Sequence, residues 1–484
     1  RRDYENNEVT KRIIDLARRL EGMPRHASTH AAGVVIAGQP ITELAPLARN
    51  DDSIVVQFTK DNIEKVGLLK FDFLGLRTLT VLQDTVDMVR ENKGIEIDID
   101  ALDFADPNIY EMIAAGSTAS VFQLESPGMT RFMKELKPDN FEDIIAGISL
   151  FRPGPMEQIP RYVEARHDSE KIKYDHPLLE PILDVTYGCT VYQEQVMRIV
   201  RDLAGFSYGQ ADNVRRAMSK KKPEVIAGYK DLFLRGGTDE AGKIVPGACA
   251  NGVPLDVAEK IFEDVMAFAG YAFNKAHGAS YAVVAYDTAW LKYYHPVEFM
   301  AAMLNSYLGS LEQAAQYVRA AKDMDIEILP PDINKSFARF TTEHGCIRFA
   351  LGAVKNVGQA AIKRLIAERE ENGEFKSYGD FMSRICEYDI NRKMIESLIR
   401  SSALDSFGVP RAKMLAVLEP FSNQLQNRRK MSSLGQVSLF ELPGMEEEQP
   451  DDEPVYPNVS EFDQDILLAM EKEMLGLYIT GHPL

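Results

Sequence analysis

The stretch Leu68-Leu69-Lys70-Phe71-Asp72-Phe73-Leu74 alternates with a period of two, so Lys70 and Asp72 project from one face of a strand while Phe71 and Phe73 occupy the other. A cation and a carboxylate thus leave together from a sheet whose back is expected to be buried. Two more short β-branched or aromatic runs, residues 33–37 and 54–58, are bounded by turn-forming residues and are expected to join 66–73 in one mixed sheet. Upstream, Val9, Ile13, Ile14, Ala17 and Leu20 recur at helical spacing until Gly22 and Pro24 stop the helix. Downstream, the pattern turns helical at Thr78 and stays so to about residue 325, interrupted by Pro-Gly punctuation at 153–155 and a Gly/Pro-rich insertion at 236–254. The fold class is therefore α+β and predominantly helical.

Composition changes again at Pro330-Pro331. Short strands at 337–342 and 346–351 are expected to precede two helical hairpins, at about 354–369 and 391–404. Residues 422–465 are rich in Gln, Ser, Pro, Glu and Asp, too poor in apolar side chains to bury a core, and read as a flexible linker before a last helix in 466–484.

A chain of 484 residues with 45% apolar content is long enough for two to four domains. Cys189, Cys249, Cys346 and Cys386 are scattered without C-x-x-C spacing and apart from the histidines, which argues against a disulfide framework or a zinc site and for a reducing cytoplasm. No apolar run approaches the ~20 residues that span a bilayer, so a membrane partner is not expected. The formal net charge of −18 argues at first against nucleic acid, yet residues 441–484 hold twelve Asp/Glu against Lys472 alone, so most of the acidity lies in the tail. Elsewhere cations bunch: Arg215, Arg216, Lys220, Lys221 and Lys222 fall within eight residues without an acid, an anion-binding stripe.

Three stretches carry candidate chemistry. Lys70 and Asp72 read either as an exposed ion pair or as a metal-binding carboxylate with a charge-neutralising lysine; one carboxylate cannot hold two Mg²⁺ ions. Arg215 and Arg216 suit a polyphosphate, because guanidinium binds phosphate oxygens bidentately and keeps its charge, although a solvated basic helix face is the commoner fate of such runs. Residues 270–281 pack Tyr271, Phe273, Lys275, His277, Ser280 and Tyr281 among small spacers, offering stacking planes at close approach; an Asn-Lys-x-His sequence is otherwise a helix cap.

Six blocks then stand in order: Lys70-Phe-Asp-Phe-Leu-Gly-Leu-Arg77-Thr, Phe122-Gln-Leu-Glu-Ser126, Phe151-Arg-Pro-Gly-Pro155, Tyr192-Gln-Glu-Gln-Val-Met197, Arg215-Arg-Ala-Met-x-Lys-Lys-Lys-Pro223 and Phe268-Ala-Gly-Tyr-x-Phe-Asn-Lys-x-His277. Together they resemble the bacterial DNA polymerase III alpha subunits, the C-family replicative polymerases, and the resemblance runs to Leu475-Gly-Leu-Tyr-Ile-Thr-Gly-His-Pro483, which in that family leads into an OB-fold. It implies the end of a thumb (1–21), the C-terminal part of a nucleotidyltransferase-type palm sheet (22–76), a large helical fingers domain (77–330), a tandem helix-hairpin-helix domain (331–425), a linker with a clamp-binding motif (426–465) and a lead-in to an OB-fold (466–484).

By the same resemblance, Asp72 matches the third of three catalytic carboxylates that bind two Mg²⁺, and Lys70 the lysine beside it. Arg215 and Arg216 match fingers arginines facing the incoming dNTP; Arg152, Lys275 and His277 match fingers residues near the same pocket. Nothing ahead of Asp72 matches the D-x-D that carries the family's other two aspartates. Asp98-Ile-Asp100 has that spelling but follows Asp72, and reads as a decoy. The chain is therefore expected to be an internal portion of such a polymerase, binding primer-template DNA without extending it.

Gly352–Ile366 resembles a helix-hairpin-helix whose turn aims backbone N–H groups at a phosphate, with Asn356 in place of the first turn glycine; Lys355, Asn356, Gly358 and Lys363, with Lys220, Lys221 and Lys222, are the candidate DNA-binding residues. Residues 391–408 look like its tandem partner. Gln436, Leu439 and Phe440 resemble the Q-x-x-L-F peptide that docks on a sliding clamp. The function implied is template-directed DNA synthesis in chromosomal replication, alongside other subunits of a replicative holoenzyme; a translesion paralogue, or a non-catalytic DNA- and clamp-binding module, are the alternatives.

Overall fold

The structure, a computed structural model, describes residues 2–25, 28–50, 52–219, 223–239, 242–269, 272–388, 391–433 and 453–482. Its contacts fall into two compact units, residues 1–76 and residues 77–484.

In the first unit, α1 (Arg2–Asn6) and α2 (Glu8–Leu20) are separated at Asn7, whose side chain accepts the N–H groups of Val9 and Thr10 and so caps α2. The expected mixed sheet is instead two separate antiparallel ribbons. Strand β2 (Leu47–Asn50) pairs with β3 (Ser53–Val56), Asn50 opposite Ser53, and β1 (Gly33–Ile36) pairs with β4 (Leu69–Asp72), which follows α3 (Lys60–Lys65). The local hairpin closes a far shorter loop than a pairing between β3 and β1 would, which favours it entropically. The buried side is also the reverse of expectation. The small core of Ala45, Ile63 and Leu68, with Val35 packed against it, goes with the ribbon face that carries Gly33 and Lys70, while Val34, Ile36, Phe71 and Phe73 are exposed.

The second unit is predominantly helical, as its periodicity predicts. It begins with α4 (Arg77–Lys93), α5 (Pro107–Ala114), α6 (Pro127–Leu136) and α7 (Phe141–Leu150), with Asp106, Ser126 and Asn140 accepting first-turn amides at the starts of α5, α6 and α7. Then follow α8 (Ile159–His167), α9 (Glu180–Leu183), α10 (Gln193–Ala204), α11 (Tyr208–Ser219) and α12 (Pro223–Arg235); Gly205 ends α10 at φ +77°, a conformation glycine adopts without strain. The Gly/Pro-rich insertion holds the two-residue strands β5 (Gly237–Thr238) and β6 (Ile244–Val245) and leads into α13 (Leu255–Ala269). Helix α14 (Lys275–Tyr294) joins two of the unit's apolar cores. Its Ala282, Ala285, Tyr286 and Ala289 pack in the core built on α5 to α7, and its Val284 and Leu291 in the core shared with α4 and α15 (Pro296–Ser306).

After α16 (Leu311–Lys322), β7 (Ile328–Leu329) lies parallel to β9 (Cys346–Arg348), which pairs antiparallel with β8 (Thr341–Glu343). The helices α17 (Gln359–Asn372), α18 (Tyr378–Ile385), α19 (Arg392–Arg400), α20 (Arg411–Ser433) and α21 (Gln464–Leu475) complete the chain. One apolar core runs from Val81 to Leu475, so the change of composition at Pro330-Pro331 is not a break in packing. Nor do 426–465 behave throughout as the expected linker. Helix α20, with Leu425 buried, carries on to Ser433, and Glu453 and Glu461 are hydrogen-bonded to the starts of α18 and α20. Composition misses this because the attachment depends on single residues, Glu453, Glu461 and the core-packed Tyr456, rather than on an apolar pattern. Among the described residues no helix is long and apolar enough to cross a membrane.

Candidate nucleotide and nucleic-acid site

The register of β1 against β4 sets Gly33 opposite Asp72 and Val35 opposite Lys70. Lys70 Nζ lies 2.7 Å from Asp72 Oδ1, and this hydrogen bond holds the Asp72 carboxyl below the usual carboxylate range. His30 Nδ1 stands 3.8 Å from the same oxygen but accepts the Ala32 N–H at 3.1 Å, so that nitrogen is not a donor to the carboxylate. A Cβ on Gly33 would stand 2.6 Å from Lys70 Cε and 3.2 Å from Asp72 Oδ1. Sequence reading finds Lys70 and Asp72 and misses His30 and Gly33, which reach the site through a non-local strand pairing. Among the described residues no three His, Cys, Asp or Glu side chains stand together as a metal cluster.

The fingers candidates come together around one backbone bridge, Tyr192 to Phe273. The Gln193 N–H donates to the Phe273 carbonyl at 2.9 Å and its side-chain amide to the Ala272 carbonyl at 2.9 Å, while its Oε1 accepts from Arg215 Nη1 at 3.3 Å. Glu194 accepts the Lys275 N–H at 3.0 Å, and the Lys275 ammonium pairs with Glu142 at 2.9 Å and sits 5.3 Å from the Tyr192 ring centre. The Arg152 guanidinium lies 3.8 Å over the Phe273 ring. From there aromatic rings continue through His277, edge-on to Phe273 at 5.3 Å, to Tyr281, tilted against His277 at 4.2 Å. Asn274 does cap α14, accepting the His277 N–H at 2.8 Å, so the capping reading of Asn-Lys-x-His is correct and coexists with the cluster.

Arg215 and Arg216 share one counter-ion. Arg215 holds Asp212 Oδ1 through two nitrogens at 2.8 and 2.9 Å, and Arg216 Nε reaches Oδ2 at 2.7 Å, which keeps the Asp212 carboxyl low. Asp212 lies three and four residues upstream of the two arginines, a helical spacing that could have revealed it. Lys220, Lys221 and Lys222 lie outside the described residues.

In the first hairpin Asn356 takes φ +64°, the left-handed conformation expected of it, and its side-chain amide donates to Ser397 Oγ of α19 at 3.1 Å. Gly358 precedes α17 without a side-chain cap, and Lys355 and Lys363 are exposed. The turn does not aim all its amides outward, however: the Lys355 N–H donates to the Met474 carbonyl at 3.0 Å, because α21 packs against the turn. In the second hairpin Ser402 and Gly408 are both left-handed before α20 begins at Arg411. Asp98 Oδ1 accepts the Asp100 N–H at 3.2 Å and caps a short 3₁₀ turn, a local structural use. Gln436, Leu439 and Phe440 lie outside the described residues.

Three family models match in the order of these features: the bacterial DNA polymerase III alpha NTPase domain over residues 1–75, the bacterial DNA polymerase III alpha subunit finger domain over 78–241, and a helix-hairpin-helix motif over 325–414. The chain is 44% identical over its whole length to the DNA polymerase III subunit alpha of Thermus aquaticus, covering 38% of that protein. It is 39% identical over 99% of its length to the same subunit of Staphylococcus aureus strain COL, covering 43%. The chain belongs to the bacterial DNA polymerase III alpha subunit family. It spans about two fifths of the length of these relatives. Within the polymerase III alpha finger match lie Arg152, Arg215 and Arg216, whereas Lys275 and His277 fall beyond its end and join the cluster through the Tyr192–Phe273 bridge.

Proposed function

We propose that this chain carries the nucleotide-handling and duplex-holding part of an enzyme that adds deoxynucleotides to a primer 3′ end on a DNA template, releasing pyrophosphate, in chromosomal replication. The observation that carries this reading is the convergence of Arg152, Arg215, Lys275 and His277, drawn from three separate sequence blocks, on the Tyr192–Phe273 bridge. Fixed guanidinium and ammonium groups in a pre-organised cluster lower the free energy of a triphosphate whose charge shifts onto the leaving pyrophosphate. Arg215 and Arg216 are assigned to the triphosphate, Arg152, Lys275 and His277 to the surrounding pocket, and the faces of Phe273, His277 and Tyr281 to base stacking. Lys355, Asn356, Gly358 and Lys363, with Lys220, Lys221 and Lys222, are assigned to the DNA backbone.

The family implies two Mg²⁺ ions, and these need several oxygen ligands held a few ångströms apart. Asp72 offers one carboxylate, one oxygen of which already accepts from Lys70, so the described residues do not by themselves fit the ion pair. Asp72 and Lys70 are assigned to the reaction as one carboxylate and its positioning cation. The same reading gives the chain a sliding clamp as partner through Gln436, Leu439 and Phe440, a place among other replicative holoenzyme subunits, and a cytoplasmic location.

Exchanging Arg215 and Arg216 for Ala, in a full-length protein containing this chain, tests the assignment. The apparent KM for dNTP rises while DNA affinity is kept, and kcat falls too if the contact strengthens in the transition state. Unchanged dNTP kinetics with weaker DNA binding would move the arginines to the duplex backbone and sink the convergence argument.

A further inference from the structure

The two hairpins differ at the end where a helix-hairpin-helix offers its amides. Helix α17 starts after Gly358 with no side-chain cap among the described residues, flanked by exposed Lys355 and Lys363; α21 takes only the Lys355 N–H of this turn, ahead of the helix start. Helix α20 starts with an anion already in place. Glu461, fifty residues downstream, accepts the Arg411 N–H at 2.7 Å through Oε2 and the Ala412 N–H at 3.0 Å through Oε1. These are the first two amides of the helix, and they point at one two-oxygen acceptor as they would at a phosphate. Its own chain turns back to help: the Phe462 N–H donates to Glu461 Oε1 at 2.9 Å. Burial alone would raise the Glu461 pKa, and the three backbone donors together with the positive charge of Arg411 more than offset this, so the carboxyl stays below its ordinary value and charged.

The side chain of Arg411 is also committed. It is buried and grips Asp405 at 2.6 Å, reaching the Arg400 carbonyl as well, so the cation nearest the α20 start is neutralised from within the hairpin. A second carboxylate fixes the same segment upstream: Glu453 accepts from the Ser377 hydroxyl at 2.6 Å and from the Gly379 N–H at 2.8 Å at the start of α18. Residues 453–461 are thus attached at both ends through carboxylates.

We propose that Glu461 fills the anion position of the second hairpin in cis, so that this hairpin is closed to DNA phosphate and the first hairpin makes the phosphate contact of the tandem pair. The inference rests on the reading of these hairpins as a DNA-binding element and adds which of the two is open. A DNA phosphate and the Glu461 carboxylate compete for the same two amides. The acid, tethered in the same chain, has the advantage of high effective concentration.

The test is duplex affinity of the full 484-residue chain, by fluorescence anisotropy over a series of salt concentrations, for wild type, Glu461→Ala, Glu461→Gln and Asp463→Asn. Asp463 is exposed and makes no side-chain cap on α21, so it controls for removal of one negative charge in the same segment. Opening the site gains roughly one phosphate contact: the log–log salt slope of Glu461→Ala steepens by about 0.9 and low-salt affinity rises roughly three- to fivefold, Glu461→Gln shows a smaller gain of the same sign, and Asp463→Asn does neither. Equal effects of the Glu461 and Asp463 changes, or no gain in slope from either Glu461 variant, would overturn the proposal. Melting curves run alongside; Glu461→Gln removes the charge but keeps one oxygen acceptor, so if Glu461→Ala loses the fold, a Glu461→Gln slope no steeper than that of Asp463→Asn overturns the proposal. A separate pair, Lys355→Ala and Lys363→Ala, reports on the underlying reading. If these leave wild-type affinity unchanged, DNA binding by the first hairpin fails, whatever Glu461 does.

Discussion

Gly33 has no room for a side chain, because a Cβ there would stand 2.6 Å from Lys70 Cε and 3.0 Å from His30 Nδ1. The atom in the way is the far end of a flexible lysine, so Gly33→Ala is expected to fold and to displace Lys70 from Asp72. In a full-length protein containing this chain, turnover should fall roughly 10–100-fold from a misplacement of this size, while the melting temperature and DNA affinity hold. Asp72→Asn should remove nearly all turnover, and Asp98→Asn with Asp100→Asn should do little, since Asp98 caps its own turn. Wild-type kcat in Gly33→Ala would show that the Lys70–Asp72 pair is an exposed ion pair and nothing more. At this scale the sequence is legible where the signal is local. The period of two puts Lys70 and Asp72 on one face, and five cations in eight residues announce Arg215 and Arg216. His30 and Glu142 are not legible, and Gln193 and Glu194, though they stand in one of the six blocks, show nothing of their contacts, because each reaches its partner through a pairing or packing contact distant in sequence.

Helix α14 shows how an element combines packing with an unused charge. Asp287 is buried at 6% exposure among α14's neighbours, and its Oδ1 has no partner among the described residues. Burial, helped by the negative charge of Asp100, pushes its carboxyl up to about 7 from 3.8. The sign follows from proton counting. Between about pH 4 and pH 7 the folded chain keeps a proton that the unfolded chain has released, so this group's contribution to stability falls as pH rises through that window and levels off above it. Asp287→Asn removes the penalty and is expected to gain on the order of 1–3 kcal/mol over wild type at pH 8, with little difference at pH 4. Urea denaturation at the two pH values measures this, and parallel curves at both would mean that Asp287 finds a partner in solution. Helices such as α14 were legible from their caps and periodicity, whereas strand partners were not: β2, a four-residue strand with a polar end at Asn50, gives too short a pattern to compete with the stronger runs around it, and the mixed sheet expected in its absence is two ribbons.

Over the whole molecule, residues 77–484 share packing that the composition divides, and the acidic tail expected to be a linker is attached at Glu453 and Glu461. Between Ser433 and Glu453 lies the sequence with Gln436, Leu439 and Phe440, assigned to a sliding clamp. Polar residues bracket it, Ser432-Ser433 before and Glu446–Glu448 after, while Leu434, Val437, Leu442 and Met445 lie between them, so apolar content alone does not separate a docking peptide from a core element. Docking and folding then make opposite forecasts for Leu439→Ala with Phe440→Ala. Truncating core residues costs about 2–5 kcal/mol for each large side chain, which would lower the melting temperature by several degrees. Removing two peptide anchors leaves the melt where it was and weakens binding to the clamp by 10-fold or more, roughly the loss of one hot spot. The second outcome is expected. In a full-length protein containing this chain, synthesis on short primers should persist in the double variant while clamp-dependent long products disappear. A clamp titration beside a melting curve separates the cases: a lower melting temperature with clamp affinity intact would make Leu439 and Phe440 structural residues and leave the clamp assignment without support.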